Sequence, residues 1–231
     1  MNRLSRLTSQ QAGVAGAAGH LLAVPLGSTE QHGPHLPLTT DAEIATALVV
    51  GLSSTRADVT VAPVLAYGAS DEHKEFPGTL SIGAVALELL LVELGRSACL
   101  TYGRVLFVSA HGGNAQAVRQ AVAKLRDEGL SVRTWSPEWR GDAHAGRVET
   151  SLMLHLAGER VQSEKAVAGN CSPVAELMTQ MRSGGVAAVS ENGVLGDPAG
   201  ASAGEGAQML ATAIDALSDW VAQWLRMEST E

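Results

Sequence analysis

Short apolar runs alternate with longer segments of helical periodicity along most of the chain. Each run is followed by a segment in which apolar residues recur every three or four positions. The runs are "HLLAVPLG", "VTVAPVLAYG", "RVLFVSAHGG" and "LSVRTWS", and the segments after them begin at Thr40, Gly83, Asn114 and Arg147. This order predicts an α/β fold, a three-layer α/β/α sandwich with a mostly parallel central sheet. Ligands of such sheets bind beyond the carboxyl ends of the strands.

The rest of the pattern marks helix ends and one long irregular segment. Two pairs of residues have the spacing of a capping box: Thr40 with Glu43, and Ser202 with Glu205. Residues 170–205 are rich in Gly, Ser and Pro, so we expect no long element there. Such a segment is suited to cover a site or a subunit interface. A final amphipathic helix is predicted over about residues 204–227.

Length and composition bound the size of the core. The chain has 231 residues, of which 45% are hydrophobic. A chain of this length can bury a sizeable core within one unit. We therefore expect a single domain over residues 1–231, with its core at about residues 20–227.

Charge and cysteine content limit the partners and the compartment. The 24 acidic residues outnumber the 16 basic ones, giving a formal charge of -8, and no dense run of Lys or Arg could neutralise a phosphate backbone. We therefore expect no nucleic-acid partner. Cys99 and Cys171 are predicted to be buried thiols, which suits the cytoplasm. The longest apolar stretch is interrupted by Glu88 and Glu93, so neither a signal peptide nor a membrane span is expected.

Metal-ligating residue types cluster where predicted strands end. Glu30 and His32 follow the first strand, and Asp41 lies at the start of the next helix. The strand "RVLFVSA" runs directly into His111. Because parallel strands end at the same sheet edge, we expect these side chains to converge.

A third segment adds to the same edge. "GDAHAGRVETS" supplies Asp142, His144 and Glu149 between a predicted strand and a helix. Several carboxylates in one cleft repel one another unless cations compensate them. Carboxylates and neutral imidazoles are ligands shared by Zn²⁺, Fe²⁺ and Mn²⁺, and a bridging carboxylate can hold two such ions. The sequence therefore predicts a site for up to two divalent ions.

Each of these residues also has a structural interpretation. A Glu-x-His triplet alone is more typical of an exposed loop than of a site. His155 lies on an apolar stripe and is interpreted as a core or interface residue, whereas His35 is expected to support the metal ligands. Trp135 and Trp139 could wall a substrate cleft or pack in the core, with equal weight. The clustering at three strand ends favours a site.

Five ordered segments resemble one family. They are "VPLGSTEQHGPHLPLTTD", "EHKEFPGTLSI", "SAHGGNAQA", "DAHAGRVETSLML" and "SENGVLGDPAGASAGEG". Together they resemble the creatininase family of metal-dependent amidohydrolases over about residues 20–225. The resemblance implies an α/β/α fold, a binuclear metal site and a homo-oligomer.

The resemblance also implies roles for individual residues. Glu30 and His111 would hold one metal ion and His32 the other, with Asp41 bridging the two. His73 and Phe76 belong to a family motif and would line the substrate entrance.

One position departs from the family pattern. In creatininase proper a Glu stands two residues after the second-motif His, and Gly113 stands there in this chain. Glu149 is the best candidate to complete the second site, although a carboxylate near a helix start is also favoured by the helix dipole alone. His144 and Glu149 are the candidates for proton transfer.

The departure also bears on the substrate. Within the family, this chain most resembles a branch that trims a modified precursor peptide in the biosynthesis of a redox cofactor, releasing its C-terminal Val-Tyr dipeptide. Two alternatives stay open: an amidohydrolase of the same family acting on a small cyclic amide or a formamide, and a metal-free binding or scaffold protein. The four family ligands present in the chain argue against the scaffold.

Overall fold

A single parallel sheet organises the protein. The computed structural model describes residues 2–228, so the ends of the predicted domain, Met1 and residues 229–231, lie outside the described residues. All strand pairs within this range are parallel, and the strand order is β1-β3-β2-β4-β5. The strands are β1 (Asn2–Arg3), β2 (Leu21–Leu26), β3 (Val59–Val61), β4 (Arg104–Ser109) and β5 (Ser131–Trp135).

Helices cover both faces of this sheet. They are α1 (Ser9–Ala17), α2 (Thr40–Thr55), α3 (Gly83–Tyr102), α4 (Ala115–Asp127), α5 (Arg147–Ala157), α6 (Val174–Gly184) and α7 (Ala203–Glu228). Among residues 2–228, no helix is both long enough and apolar enough to span a bilayer. The predicted three-layer α/β/α sandwich is confirmed, and its sheet is parallel throughout.

The two faces of the sheet carry separate cores because side chains alternate along each strand. In β2, Leu21 and Ala23 pack with α2, α5 and α7, whereas Leu22 and Val24 pack with α3 and α4. The largest fully buried side chain, Phe107 of β4, lies on the α3–α4 side. With both faces covered, β2 reads as a continuous apolar run rather than an alternating one.

Neither of the two predicted capping boxes is formed in full. Helix α2 begins at Thr40 itself, and its N-cap is Thr39. The Thr39 hydroxyl donates to the Glu43 carboxylate at 2.6 Å, and the Thr40 hydroxyl donates to the Pro37 carbonyl. At the start of α7 the backbone N–H of Glu205 donates to the Ser202 hydroxyl at 3.2 Å, as a capping box requires, but the Glu205 carboxylate binds Arg147 instead.

The prediction that residues 170–205 hold no long element is also wrong. Helix α6 runs through this segment for 11 residues. Its Leu177 is buried in a small cluster with Val186 and Leu195, which is separate from the two main cores. Only this one residue of α6 is buried, so the apolar periodicity that would predict a helix is weak in this segment.

The two cysteines are also less buried than predicted. Cys99 is half-buried and Cys171 is exposed, and neither forms a disulfide. Cys171 lies just before α6, in the segment whose packing the sequence did not reveal.

The contact between α5 and α7 depends on a glycine, which gives the first prediction. A Cβ atom on Gly206 would lie inside van der Waals contact of the Ser151 backbone carbonyl. Gly206→Ala must therefore push α7 away from α5 and should lower the free energy of unfolding by about 1–3 kcal/mol. Urea denaturation measures this change.

Gly204→Ala is the matched control two residues earlier. A Cβ there meets nothing within 4 Å. This variant should be as stable as the wild type or slightly more stable, because Ala favours a helix over Gly. Equal stability of the two variants would contradict the proposed packing.

Candidate metal centre

Four segments bring titratable side chains to the carboxyl edge of the sheet. Glu30 and His32 follow β2, His73 lies in the connection after β3, and His111 follows β4. His144 lies in the connection between β5 and α5, and Glu149 lies in the first turn of α5. Asp41 lies in the first turn of α2, which follows the β2 loop. The sequence-predicted ligands therefore come together in the structure.

Glu30 lies at the centre of this group. Its side chain is fully buried, and its carboxylate lies 3.2 Å from His111 Nε2 and 3.4 Å from His73 Nε2. Among residues 2–228, neither of its oxygens has a well-aligned hydrogen-bond donor. A buried carboxylate without donors is costly unless a cation lies beside it.

Asp41 joins the two ligand groups. One carboxylate oxygen lies 3.2 Å from His32 Nε2, and the other lies 3.1 Å from His111 Nδ1. The Ser28 hydroxyl donates to Asp41 Oδ2 at 2.8 Å and fixes the carboxylate. A carboxylate with one oxygen toward each of two imidazoles is suited to bridge two ions.

Glu149 completes the side of the cluster that contains His32. Its Oε2 lies 3.9 Å from His32 Nε2 and accepts a hydrogen bond from the backbone N–H of Ala145 at 2.6 Å. Ala145 has a φ of 53°, in the left-handed region that costs a non-glycine residue about 1–2 kcal/mol. The strained backbone at Ala145 thus holds Glu149 in place.

Three overlapping groups of side chains have the donor chemistry and spacing for a metal ion. In each group, the ligand atoms lie within 4.8 Å of one another. The groups are Glu30–Asp41–His111, His32–His144–Glu149 and Glu30–His73–His144. Buried carboxylates and imidazoles of this kind suit Zn²⁺, Fe²⁺ or Mn²⁺, and the donorless Glu30 carboxylate fits such an ion.

Two imidazoles in the cluster have strongly raised pKa values. Burial lowers the pKa of both His32 and His111, but the carboxylates of Asp41 and Glu30 outweigh burial and raise each pKa to about 10. In turn, these imidazoles lower the pKa of Asp41 well below its usual range, against the opposing effect of its own burial. Without a metal ion, protonated imidazoles supply the positive charge that this site requires.

The other groups shift toward their neutral forms. Burial, with the charges of His32 and His111, lowers the pKa of His73 to about 3. Burial and His32 also lower the pKa of His144 well below its usual value. Burial raises the pKa of Glu30 to about 7, and it raises the pKa of Glu149 as well. Carboxyl groups with raised pKa values can exchange protons near neutral pH.

His73 lies deeper than the sequence indicated. It was predicted to line the entrance, yet it is only 4% exposed, contacts Glu30, and packs against the His144 ring with centroids 4.4 Å apart. The signal was available in "DEHKEFPG", since His73 follows a predicted strand as the other ligands do.

Gln31 was missed entirely. Its side-chain Nε2 donates to His73 Nδ1 at 2.7 Å and to the Gly193 carbonyl at 3.1 Å, and its backbone carbonyl accepts from His144 Nε2 at 2.9 Å. It therefore ties the segment after α6 to two imidazoles of the centre. No sequence pattern distinguishes such a glutamine from a surface residue.

The predicted aromatic residues lie at different distances from the centre. Trp139 lines a cleft of about 880 Å³ that contains Asp41, His111 and Glu149 in its wall. Trp135 lines a neighbouring cavity and packs against the core. Phe76 packs against the small cluster beside α6.

The remaining candidates support the site or lie away from it. The buried His35 contacts the Thr150 hydroxyl at 2.9 Å, and Asp142 accepts a hydrogen bond from the backbone N–H of Arg147 at the start of α5. Asn114 accepts from Ala69 N–H and donates to the Gly27 carbonyl, so it fixes the loop after β4. His155 is exposed, so its interpretation as a core residue is wrong, while an interface position stays a prediction.

Gly113 faces a crowded part of the centre. A Cβ atom there would clash with the Ala69 carbonyl and the Glu72 carboxylate, and would lie 2.5 Å from His111 Nε2. The Glu72 carboxylate is 3.9 Å from the same nitrogen. Any side chain at position 113 would therefore displace His111 or Glu72.

Fold and centre together define a class of protein, a three-layer α/β/α sandwich with a buried imidazole–carboxylate cluster that could hold metal ions at the carboxyl edge of its sheet. The family described as "Creatininase: Creatinine amidohydrolase" matches residues 5–221. The chain belongs to the creatininase family, and it is a metal-dependent amidohydrolase.

Curated relatives and solved structures agree with this assignment. A "Mycofactocin precursor peptide peptidase" of Mycolicibacterium smegmatis is 52% identical, over 88% of this chain and 85% of the relative. A protein of the same description from Mycobacterium tuberculosis is 48% identical over the same shares. A crystal structure of creatinine amidohydrolase has a TM-score of 0.82 at 23% identity and covers 96% of each chain, a likeness of fold alone.

The crowding at Gly113 gives a prediction with a control on the neighbouring residue. Gly113→Ala should displace His111 and weaken metal binding at least about tenfold, because misplaced ligands typically cost 10–100-fold in affinity. Gly112→Ala introduces a Cβ that meets nothing within 4 Å and should bind metal normally. Competition with a chromophoric chelator measures both affinities. Equal affinities would show that the loop adapts to a side chain at 113.

The raised pKa values of His32 and His111 predict proton release on metal uptake. Both imidazoles are protonated at pH 7 in the metal-free protein, because their pKa values of about 10 lie above this pH. A metal ion binds only the neutral imidazole, so full loading should release about two protons, plus a fraction from Glu30. Apparent metal affinity should therefore rise with pH up to about pH 10.

Titration calorimetry in two buffers of different ionisation enthalpy counts these protons. His155→Ala serves as a control that changes an exposed histidine outside the centre. If loading at pH 7 released no protons, neither histidine would be a ligand in the protonation state inferred here.

Proposed function

We propose that the protein is a peptidase that hydrolyses an amide bond in the modified mycofactocin precursor peptide and releases its C-terminal Val-Tyr dipeptide. The observation that carries this proposal is the buried ligand cluster in a chain 52% identical to a peptidase of that description. The large cleft beside the cluster adds support, since its 880 Å³ exceeds the need of a small cyclic amide. The carboxylate of Glu30, buried without a donor, argues against a metal-free scaffold.

Five residues would hold the metal ions. Glu30 and His111 would bind one ion, and His32 and Glu149 the other. Asp41 would bridge the two, which its contacts with both imidazoles support. The expected complement is two divalent ions per chain, with Zn²⁺, Fe²⁺ and Mn²⁺ all compatible with these donors. Solved creatininases of the same fold include forms described as "Creatininase Mn" and "Zn-Zn type".

The ions would lower the pKa of water and polarise the scissile carbonyl, two functions that no side chain in the cluster performs alone. The protein residues would position the peptide and move protons. Glu149 is suited to accept a proton and deliver it to the leaving nitrogen, because burial raises its pKa.

His144 would assist from the opposite side. Its Nε2 lies 2.9 Å from the Gln31 carbonyl, and a neutral ring that donates there keeps its lone pair on Nδ1. The low pKa of His144 keeps the ring neutral at pH 7. We assign it to orienting and transferring the proton that leaves the nucleophile.

The peptide would occupy the cleft in front of these residues. Trp139 lines this cleft, so we propose that it contacts the substrate directly. His73 would support the centre through its contact with Glu30. Trp135, which lines the neighbouring cavity, and Phe76, which packs on the small cluster beside α6, would support the walls of the cleft.

We also propose a homo-oligomer of single-domain chains in the cytoplasm. Exposed apolar residues form a stripe on α3, and such stripes are typical of contact surfaces. They are Val85, Leu89 and Leu100 of α3, with Ile82 just before the helix. Both main cores pack on the one sheet, which supports a single domain, and two unpaired cysteines suit a reducing compartment.

Incubation with the modified precursor peptide, followed by mass spectrometry, tests the function. We expect release of the dipeptide by the metal-loaded protein, loss of release after chelation, and recovery when a divalent ion is returned. Hydrolysis that survives complete removal of metal would refute the metal-dependent mechanism. A protein that leaves this peptide intact while cleaving a small cyclic amide or formamide would establish the alternative within the family.

A substitution at Glu149 can distinguish a carboxylate that acts in the site from one that only complements the helix dipole, and this gives a further prediction. Glu149→Gln keeps the shape and the Ala145 hydrogen bond but removes the charge. It should lower kcat at least about 10²-fold through lost proton transfer or lost metal, while the protein stays folded. A residue that only complements the helix dipole would cost at most about 1 kcal/mol of stability and leave turnover intact.

Turnover and metal content are measured together on this variant. His155→Ala, on the same helix but exposed, should leave both unchanged. Wild-type values for both quantities in Glu149→Gln would remove Glu149 from the site.

A further inference from the structure

A second cavity reaches the metal centre from the side of α6. It has a volume of about 420 Å³, and Glu30, His73 and His144 form its inner end. The main cleft adjoins this cavity, because His111 and His144 line both. The two cavities therefore meet at the metal centre, as the two sides of a scissile bond would require.

Most of the outer wall of this α6 cavity is apolar, and Glu72 and Arg182 are its charged members. Val174, Met178 and Met181 lie three or four residues apart, on one face of α6, and Val186 and Leu195 lie opposite. Val174 is 41% exposed and Met178 is 37% exposed, so their apolar surfaces are not covered by the rest of the chain. Methionine adapts its shape to a ligand and makes favourable contacts with aromatic rings.

The main cleft is larger and contains more polar side chains. Its volume of about 880 Å³ is twice that of the α6 cavity, and the two cavities share Val174 and Leu195. The polar side chains of the main cleft include Ser136, Glu138, Asp142 and Ser172. The longer part of a peptide suits the larger polar cleft, and a short apolar end suits the α6 cavity.

We propose that the α6 cavity binds the aromatic C-terminal end of the peptide, the part that leaves on hydrolysis, with the ring against Met178 and Met181. This assignment rests on the proposed function and extends it to substrate specificity. It makes α6 the element that selects an aromatic residue after the scissile bond, and it assigns the rest of the peptide to the main cleft.

Arg182 lies at the mouth of the same cavity. It is exposed, and it has no ion-pair partner among residues 2–228. A planar guanidinium can stack on an aromatic ring or donate to a phenol oxygen. Arg182 is therefore placed to cover a ring held by the two methionines.

Binding of two dipeptides to the metal-loaded protein tests the assignment. Val-Tyr and Val-Ala share their amino and carboxylate groups, so a difference between them isolates the aromatic ring. We expect wild-type protein to bind Val-Tyr at least about tenfold more tightly than Val-Ala in titration calorimetry. Met178→Glu should abolish this preference, because it puts a charge beside the ring. Met178→Leu should keep the preference.

Gln180→Glu is the matched control. It adds the same charge to the opposite, exposed side of α6, where residue 180 lines neither cavity, and it should bind both dipeptides as the wild type does. Equal binding of the two dipeptides by wild-type protein would overturn the assignment, as would an unchanged preference in Met178→Glu. Circular dichroism confirms that each variant is folded.

The outcome is separable from that of the proposed function. If Val-Tyr is preferred but the modified precursor peptide is not cleaved, the cavity assignment stands and the peptidase proposal falls. If the precursor is cleaved but no preference exists, the reverse holds.

Discussion

The electrostatic demand of the Glu30 carboxylate governs the architecture of the site. A carboxylate with no exposed surface and no aligned donor among the described residues must either take up a proton or have positive charge beside it. His111 meets this demand in part, because the charge of Glu30 is the largest effect that raises its pKa, whereas Asp41 is the main cause of the raised pKa of His32. A divalent ion meets it more fully and displaces their protons. Burial of these groups is therefore tolerable only in a scaffold that holds them against one another.

The parallel sheet is the scaffold that allows this arrangement. Strands that run in one direction deliver their following loops to one edge, so residues far apart in sequence meet without a long excursion. The alternating packing of β2 on two cores fixes the strand from which Glu30 and His32 extend. The same rule explains how much of the site could be predicted from the sequence. Residues directly after apolar strands, such as His111, were predicted as ligands. His73 follows the short strand β3 only after a longer connection, and its burial in the centre was not predicted.

Other features escaped prediction for physical reasons. Helix α6 buries a single residue, so its pattern is too weak to outweigh the Gly- and Ser-rich composition around it. Gln31 acquires its role only through contacts with His73, His144 and Gly193, which lie far away in the sequence. Gly113, in contrast, was identified as a departure from the family pattern, and the structure supplies a physical context for it. The Glu72 carboxylate occupies the space that a side chain at 113 would need.

The distance between the ligands along the chain has a further consequence for the lifetime of the folded protein. Glu30 and Glu149 are contributed by segments near the beginning and beyond the middle of the chain, with the other ligands between them. A metal ion that joins them acts as a reversible cross-link across long loops. Metal supply would thus set the lifetime of the folded protein against degradation, as well as its catalytic competence.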